Sequence, residues 1–356
     1  MFICLQFSHA LLGLEDSQLR NLSANVPLIT AYKEYIRSSA KIFCGSNCPN
    51  LEADIEAMVH LESQLAQAKL PPEVSRDPAN SELRLTLKEL STRTNFNWLA
   101  EVIEPLYQAL NVSSEYLPAE SQGVIVNDIG YLTKMVAILA KTSPKTVAHL
   151  VGWRIVETNG PQASELFRQH SAAFEKVHLG LKKMTPRSAA CFYQVNGKLG
   201  YAQMNIATSR LWIDHYFSPK DKLESEHIVE SIQRTFGHLL LDNGWMADER
   251  TRFAALKKLA SITRKVGYSD VLLSNDYLDY VYSLNGSSSA DFETLLKEKN
   301  YFKAFRRMSV AGLQGSLKML KGPSISDGSL WIVSPATINA MYFYKDNSIS
   351  KCKVCS

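Results

Sequence analysis

Apolar residues that return every three or four positions constrain this chain more than any other feature of its sequence. Ile228, Val229, Ile232, Phe236, Leu239 and Leu240 follow that spacing until Asn243-Gly244 closes the segment. From Ser143-Pro144, an N-cap followed by Pro at the first helical position, Val147, Leu150, Val151 and Ile155 fall on one face. Asn159-Gly160-Pro161 is expected to end that helix after about three turns. A third run, from Trp245 to Tyr268, carries Asp248 and Glu249 early, Arg264 and Lys265 late, and Gly267 at its expected stop, as the helix dipole prefers. Phe253, Leu256, Leu259, Ile262 and Val266 are its expected buried stripe. Ala31–Phe43, Leu51–Ala68, Tyr131–Lys141, Ala163–Lys183 and Phe292–Lys321 also read as helices, and only Gly123–Val126 and Trp331–Ile349 read as strand. The expected fold class is mainly α, a multi-helix domain with a short C-terminal β segment.

The 356 residues are 46% hydrophobic and 21% charged, which suits a globular chain with a sizeable core. The net charge of +4 is dispersed, with nothing longer than pairs such as Lys257-Lys258 and Arg306-Arg307, so no nucleic-acid partner is expected. No stretch is apolar for long enough to span a membrane, and the first residues carry no basic region or cleavage site of an export signal. Asn21, Asn111 and Asn285 each open an N-x-S/T sequon and are the glycosylation candidates.

Common enzyme signatures are missing. No two of the eight histidines stand four residues apart, so the H-E-x-x-H zinc arrangement does not occur. Neither a G-x-S-x-G elbow nor a glycine-rich phosphate loop is present. Acidic residues on the helices, such as Glu224 and Glu226, read as solvated faces. The cysteines are Cys4, Cys44, Cys48, Cys191, Cys352 and Cys355, too sparse for a disulfide framework. Cys44 with Cys48 and Cys352 with Cys355 supply four sulfurs for a tetrahedral zinc site, but the pairs are far apart and the second lies in a tail. A redox pair at Cys352 and Cys355 lacks the following helix that such chemistry uses. The bonding of these four cysteines stays open, and no metal ligand is assigned.

Four ordered blocks carry a resemblance. They are LVGWRIV around Trp153-Arg154, CFYQVNGKLGYA from Cys191, GWMADERTRFAALKKLASITRKVGYSD from Gly244, and LWIVSPATINAMYFYKDNSI from Leu330. Together they resemble the neprilysin and endothelin-converting-enzyme family of zinc metalloendopeptidases, from about Leu12 to Ile349. Ala247 stands where the family has Asp, Ser269 where it has Pro, and Met341 where it has an aromatic residue.

The resemblance implies a helical substrate-gating lobe over 1–321, a linker at 322–329, the first edge strand of an incomplete catalytic domain at 330–349 and a divergent tail at 350–356. It implies that Asn339, through its side chain, and Ala340, through its carbonyl, hold the backbone of a short peptide that pairs with the strand. Zinc belongs to the full-length family, whereas this chain is expected to need no cofactor, to contain no catalytic residue and to be inactive alone. The family pattern pairs Cys191 with a cysteine upstream of this chain. A plasma-membrane ectodomain or extracellular location is implied. The other reading is a stand-alone, non-catalytic peptide binder or decoy.

Overall fold

Helix starts are fixed by side chains that satisfy the unpaired first-turn N–H groups. Thr86 Oγ1 accepts from the Glu89 N–H while the Glu89 carboxylate accepts from the Thr86 N–H. Ser218 and Asp221 repeat that reciprocal arrangement, and Ser143 Oγ accepts from the Thr146 N–H. The computed structural model describes residues 5–45, 47–75, 77, 82–196, 204–242, 244–246, 248–283, 293–294, 297, 299–321, 335–336, 339–344 and 347–351.

In chain order the regular elements are β1 (Leu5–Phe7), α1 (Asp16–Arg20), α2 (Val26–Cys44), α3 (Leu51–Ala68), α4 (Pro72–Ser75), β2 (Leu83–Thr86), α5 (Leu87–Thr94), α6 (Glu104–Ala109), β3 (Gly123–Val126), α7 (Ile129–Lys141), α8 (Pro144–Ala163) and α9 (Glu165–His178). There follow α10 (Arg187–Asn196), α11 (Asn205–Tyr216), α12 (Pro219–Leu241), α13 (Glu249–Ala260), β4 (Thr263–Val266), α14 (Asn275–Ser283), α15 (Tyr301–Met319), β5 (Ala340–Phe343) and β6 (Ser348–Lys351). The protein is mainly α, with two small sheets among the described residues. Its contacts divide it into two compact units, one of Cys4–Arg187 with Leu295–Arg307, the other the rest of the chain. The expected linker at 322–329 lies outside the described residues.

In the first unit the sheet order is β1-β3-β2, with β1 parallel and β2 antiparallel to β3. Leu19, Tyr32, Ile36, Ile55, Val59, Trp153 and Phe174 form the core between α1, α2, α3, α8 and α9. The expected stop at Asn159-Gly160-Pro161 is overturned, because α8 runs on to Ala163. Asn159 and Gly160 are both used within the helix and its packing. A Cβ on Gly160 would come within 3.0 Å of the Phe167 ring. Asn159 Nδ2 donates to the Ile155 carbonyl at 2.8 Å, and the Ser164 N–H closes the last turn on the Gly160 carbonyl at 3.2 Å. The expected apolar stripe shifts as well: Trp153 faces the core, while Val151 and Ile155 are 55% and 53% exposed.

In the second unit Ile213, Phe217, Tyr268 and Leu272 cluster. The sheet order is β4-β6-β5, with β4 parallel and β5 antiparallel to β6. The helix expected from Trp245 to Tyr268 therefore fails at its second half, since α13 ends at Ala260 and Thr263–Val266 is strand. Thr263 pairs with Ser348 and Val266 with Lys351, so a ladder to a distant partner overrides the local helical pattern. Arg264 and Lys265 ride on this strand, and Phe253 is exposed rather than buried. Gly267 keeps a stop function of another kind: at φ +72° it turns the chain out of β4.

Candidate functional site

Alternating side chains and unpaired backbone groups define the edge of a sheet, and β5 has such an edge. It pairs with β6 in the register Ala340 to Lys351, Met341 to Ser350, Tyr342 to Ile349 and Phe343 to Ser348. No strand lies on its other side among the described residues. Asn339 and Ala340, at the start of β5, are both exposed. Asn339 Oδ1 accepts from the Ala340 N–H at 2.8 Å, which engages the acceptor end of the amide.

The remaining sequence candidates separate. Asn21 is exposed, and its Oδ1 accepts from Ser23 Oγ and the Ala24 N–H. Asn111 is exposed at φ 51°, while Asn285 lies outside the described residues. Cys44 and Cys48 form a disulfide, so neither is a thiolate and the four-sulfur zinc site is excluded. Cys4, Cys352 and Cys355 lie outside the described residues, and Cys191 is free and half-buried. No three His, Cys, Asp or Glu side chains among the described residues converge to hold a metal ion, so zinc has no fitting donor set there. No helix among them is long and apolar enough to cross a membrane.

A buried carboxylate network escaped the sequence, in which acidic residues read as solvated. Glu62 of α3 is fully buried, accepting from the Gly13 N–H at 2.8 Å and from the Tyr32 hydroxyl at 3.0 Å. Trp153 Nε1 donates to that same hydroxyl at 2.8 Å. Burial pushes the Glu62 carboxyl up, although the Gly13 and Tyr32 hydrogen bonds oppose it. One turn beyond Trp153, burial drives the Glu157 carboxyl up to about 7, against the pull of its ion-pair partner Arg154. The legible signal was position, for Glu62 interrupts the apolar run Met58, Val59, Leu61 and Leu65. Glu62 and Arg154 border an open cavity of about 400 Å³ with Leu12, Leu65 and Leu150. Hydrogen bonds already occupy both Glu62 oxygens, so the network fits a structural role.

The family model described as peptidase family M13, in its N-terminal part, matches residues 3–269. The chain belongs to peptidase family M13. Neprilysin-1 of Trittame loki is 29% identical over 350 residues, covering 95% of this chain and 45% of that protein. Membrane metallo-endopeptidase-like 1 of Homo sapiens is 28% identical over 340 residues, covering 92% and 41%. The M13 chain thus spans less than half the length of these relatives. Its fold is similar to that of zinc metalloprotease Zmp1 of Mycobacterium tuberculosis in complex with inhibitor, at a TM-score of 0.74 and 21% identity, covering 97% of this chain and 47% of that one.

Proposed function

We propose that this chain forms the peptide-holding, non-catalytic part of an M13 zinc endopeptidase and hydrolyses nothing by itself. The observation that carries the reading is the open edge of β5, preceded by the exposed Asn339. Such an edge gives an extended peptide a row of main-chain hydrogen bonds. Asn339 Nδ2 donates to a peptide carbonyl, and the Ala340 carbonyl accepts from a peptide N–H. Cleavage in the family is zinc chemistry. This sequence contains no H-E-x-x-H, and no step is assigned to residues that do not fit the ion.

An extracellular or membrane-tethered ectodomain suits this role. The exposed Asn21 and Asn111 sequons and the Cys44–Cys48 disulfide support that location, since disulfides persist in oxidising compartments. The same features support a second reading, a stand-alone peptide binder or decoy, because β4, β5 and β6 assemble from this chain's own residues.

Fluorescence anisotropy with the labelled pentapeptide AAFLA tests the site. The wild-type chain is expected to bind, and Asn339→Ala to weaken binding by about fivefold to tenfold, the worth of one side-chain hydrogen bond. Equal affinity in the variant contradicts the role of Asn339. Zinc-dependent, chelator-sensitive cleavage of the peptide by purified chain contradicts the non-catalytic assignment. Binding by a soluble monomer is compatible with both readings, whereas insolubility of the chain alone favours a part of a longer enzyme.

A further inference from the structure

An edge strand held on one side only must be kept in a fixed position by something else if its free edge is to receive a peptide. Here that support converges on one residue, Asn347. It sits at φ 49°, a left-handed conformation that asparagine tolerates better than most residues. Its carbonyl accepts from the Thr263 N–H at 2.9 Å, at the start of β4. Its side chain works in two directions. Oδ1 accepts from the Tyr342 hydroxyl of β5 at 2.8 Å, and Nδ2 donates to the Lys258 carbonyl at 3.1 Å and to Ser261 Oγ at 2.9 Å.

The Lys258 carbonyl belongs to the last turn of α13, where no further intrahelical N–H is available. Ser261 Oγ donates to the same carbonyl at 2.9 Å, so serine and asparagine together satisfy it. Lys258 Nζ lies 5.9 Å from the centre of the Tyr342 ring. One amide therefore ties the end of α13 to β5 while its own backbone joins β4 at the entrance to β6. Only a short side chain that donates and accepts at once meets these demands, and a carboxylate or hydroxyl meets them in part.

We propose that Asn347 is a positioning residue for peptide capture: through Tyr342 it holds β5 against α13, so that the Asn339–Ala340 edge is presented in one orientation. The proposal rests on the peptide-pairing reading above. Asn347→Gly retains the left-handed backbone and deletes only the amide. Tyr342→Phe retains the ring and deletes only the hydroxyl.

Anisotropy with the labelled peptide AAFLA on the full chain, alongside thermal melting, tests the proposal. Asn347→Gly is expected to raise the dissociation constant about tenfold at a nearly unchanged melting temperature. Tyr342→Phe is expected to raise it severalfold alone and to add nothing in the Asn347→Gly background. Asn347→Asp, which keeps the acceptor for Tyr342, is expected to recover part of the loss. Wild-type affinity in Asn347→Gly, with Asn339→Ala still impaired, overturns the positioning role and leaves the peptide reading intact. Absence of binding by the wild type overturns both. Should Asn347→Gly fail to fold, Tyr342→Phe decides: an unchanged dissociation constant in that variant overturns the proposal.

Discussion

Glu157 carries the clearest single-residue consequence. Its side chain is 19% exposed and lies near Arg154 on its own helix, Glu62 on α3, and Tyr32 and Tyr35 on α2. With the carboxyl raised from 4.5 to about 7, folding favours its protonated form. That contribution is fully present below the unfolded value and is lost as pH rises through about 7. At about 1.4 kcal/mol per pH unit the loss reaches roughly 3 kcal/mol by pH 8. Urea denaturation of Glu157→Gln is therefore expected to match the wild type near pH 5 and to show the more stable protein near pH 8. A variant less stable than the wild type at pH 8 contradicts this. Gly13 gives a second test, since an added Cβ would lie 1.8 Å from the Tyr32 hydroxyl that bridges Glu62 and Trp153. Gly13→Ala is expected to cost about 2–3 kcal/mol, visible as a lowered melting temperature. Neither consequence was legible in the sequence: the place of Glu62 in an apolar run was its one signal, and nothing local marked Glu157 or Gly13 as its neighbours.

At the scale of elements, legibility followed the range of the deciding interactions. Leu51–Ala68 was readable because its own apolar spacing places Ile55, Met58, Val59 and Leu65 on the buried face, and Gly123–Val126 because its run of β-branched residues already favours strand. β4 was not, because the ladder that makes Thr263–Val266 a strand comes from Ser348–Lys351. Likewise α8 passes through Gly160 and Pro161 because the Phe167 ring needs the space a Cβ would fill. The strand within Trp331–Ile349 was readable from its residues, its role as an edge only through the likeness of LWIVSPATINAMYFYKDNSI to a known pattern, and the tie made by Asn347 not at all. Gly267 tests the β4 assignment. It has φ +72°, and an added Cβ would lie 2.5 Å from Phe217 Cε1. Gly267→Ala is expected to destabilise the second unit by about 2–3 kcal/mol. In urea denaturation followed by hydrogen exchange, loss of protection should appear first in 263–266 and 348–351. Unchanged protection there contradicts the assigned turn.

At the scale of the whole molecule, an M13 chain spanning less than half the length of its relatives carries, among its described residues, the three-stranded sheet β4-β6-β5. The assembled edge of that sheet, rather than any catalytic group, is the basis of the functional reading. The most direct measurement is hydrogen–deuterium exchange of the chain with and without excess AAFLA peptide. Strand pairing predicts that amides within 340–343 gain protection on peptide addition and that Asn339→Ala reduces the gain. Protection confined to other segments, or none at all, would contradict the edge-strand account.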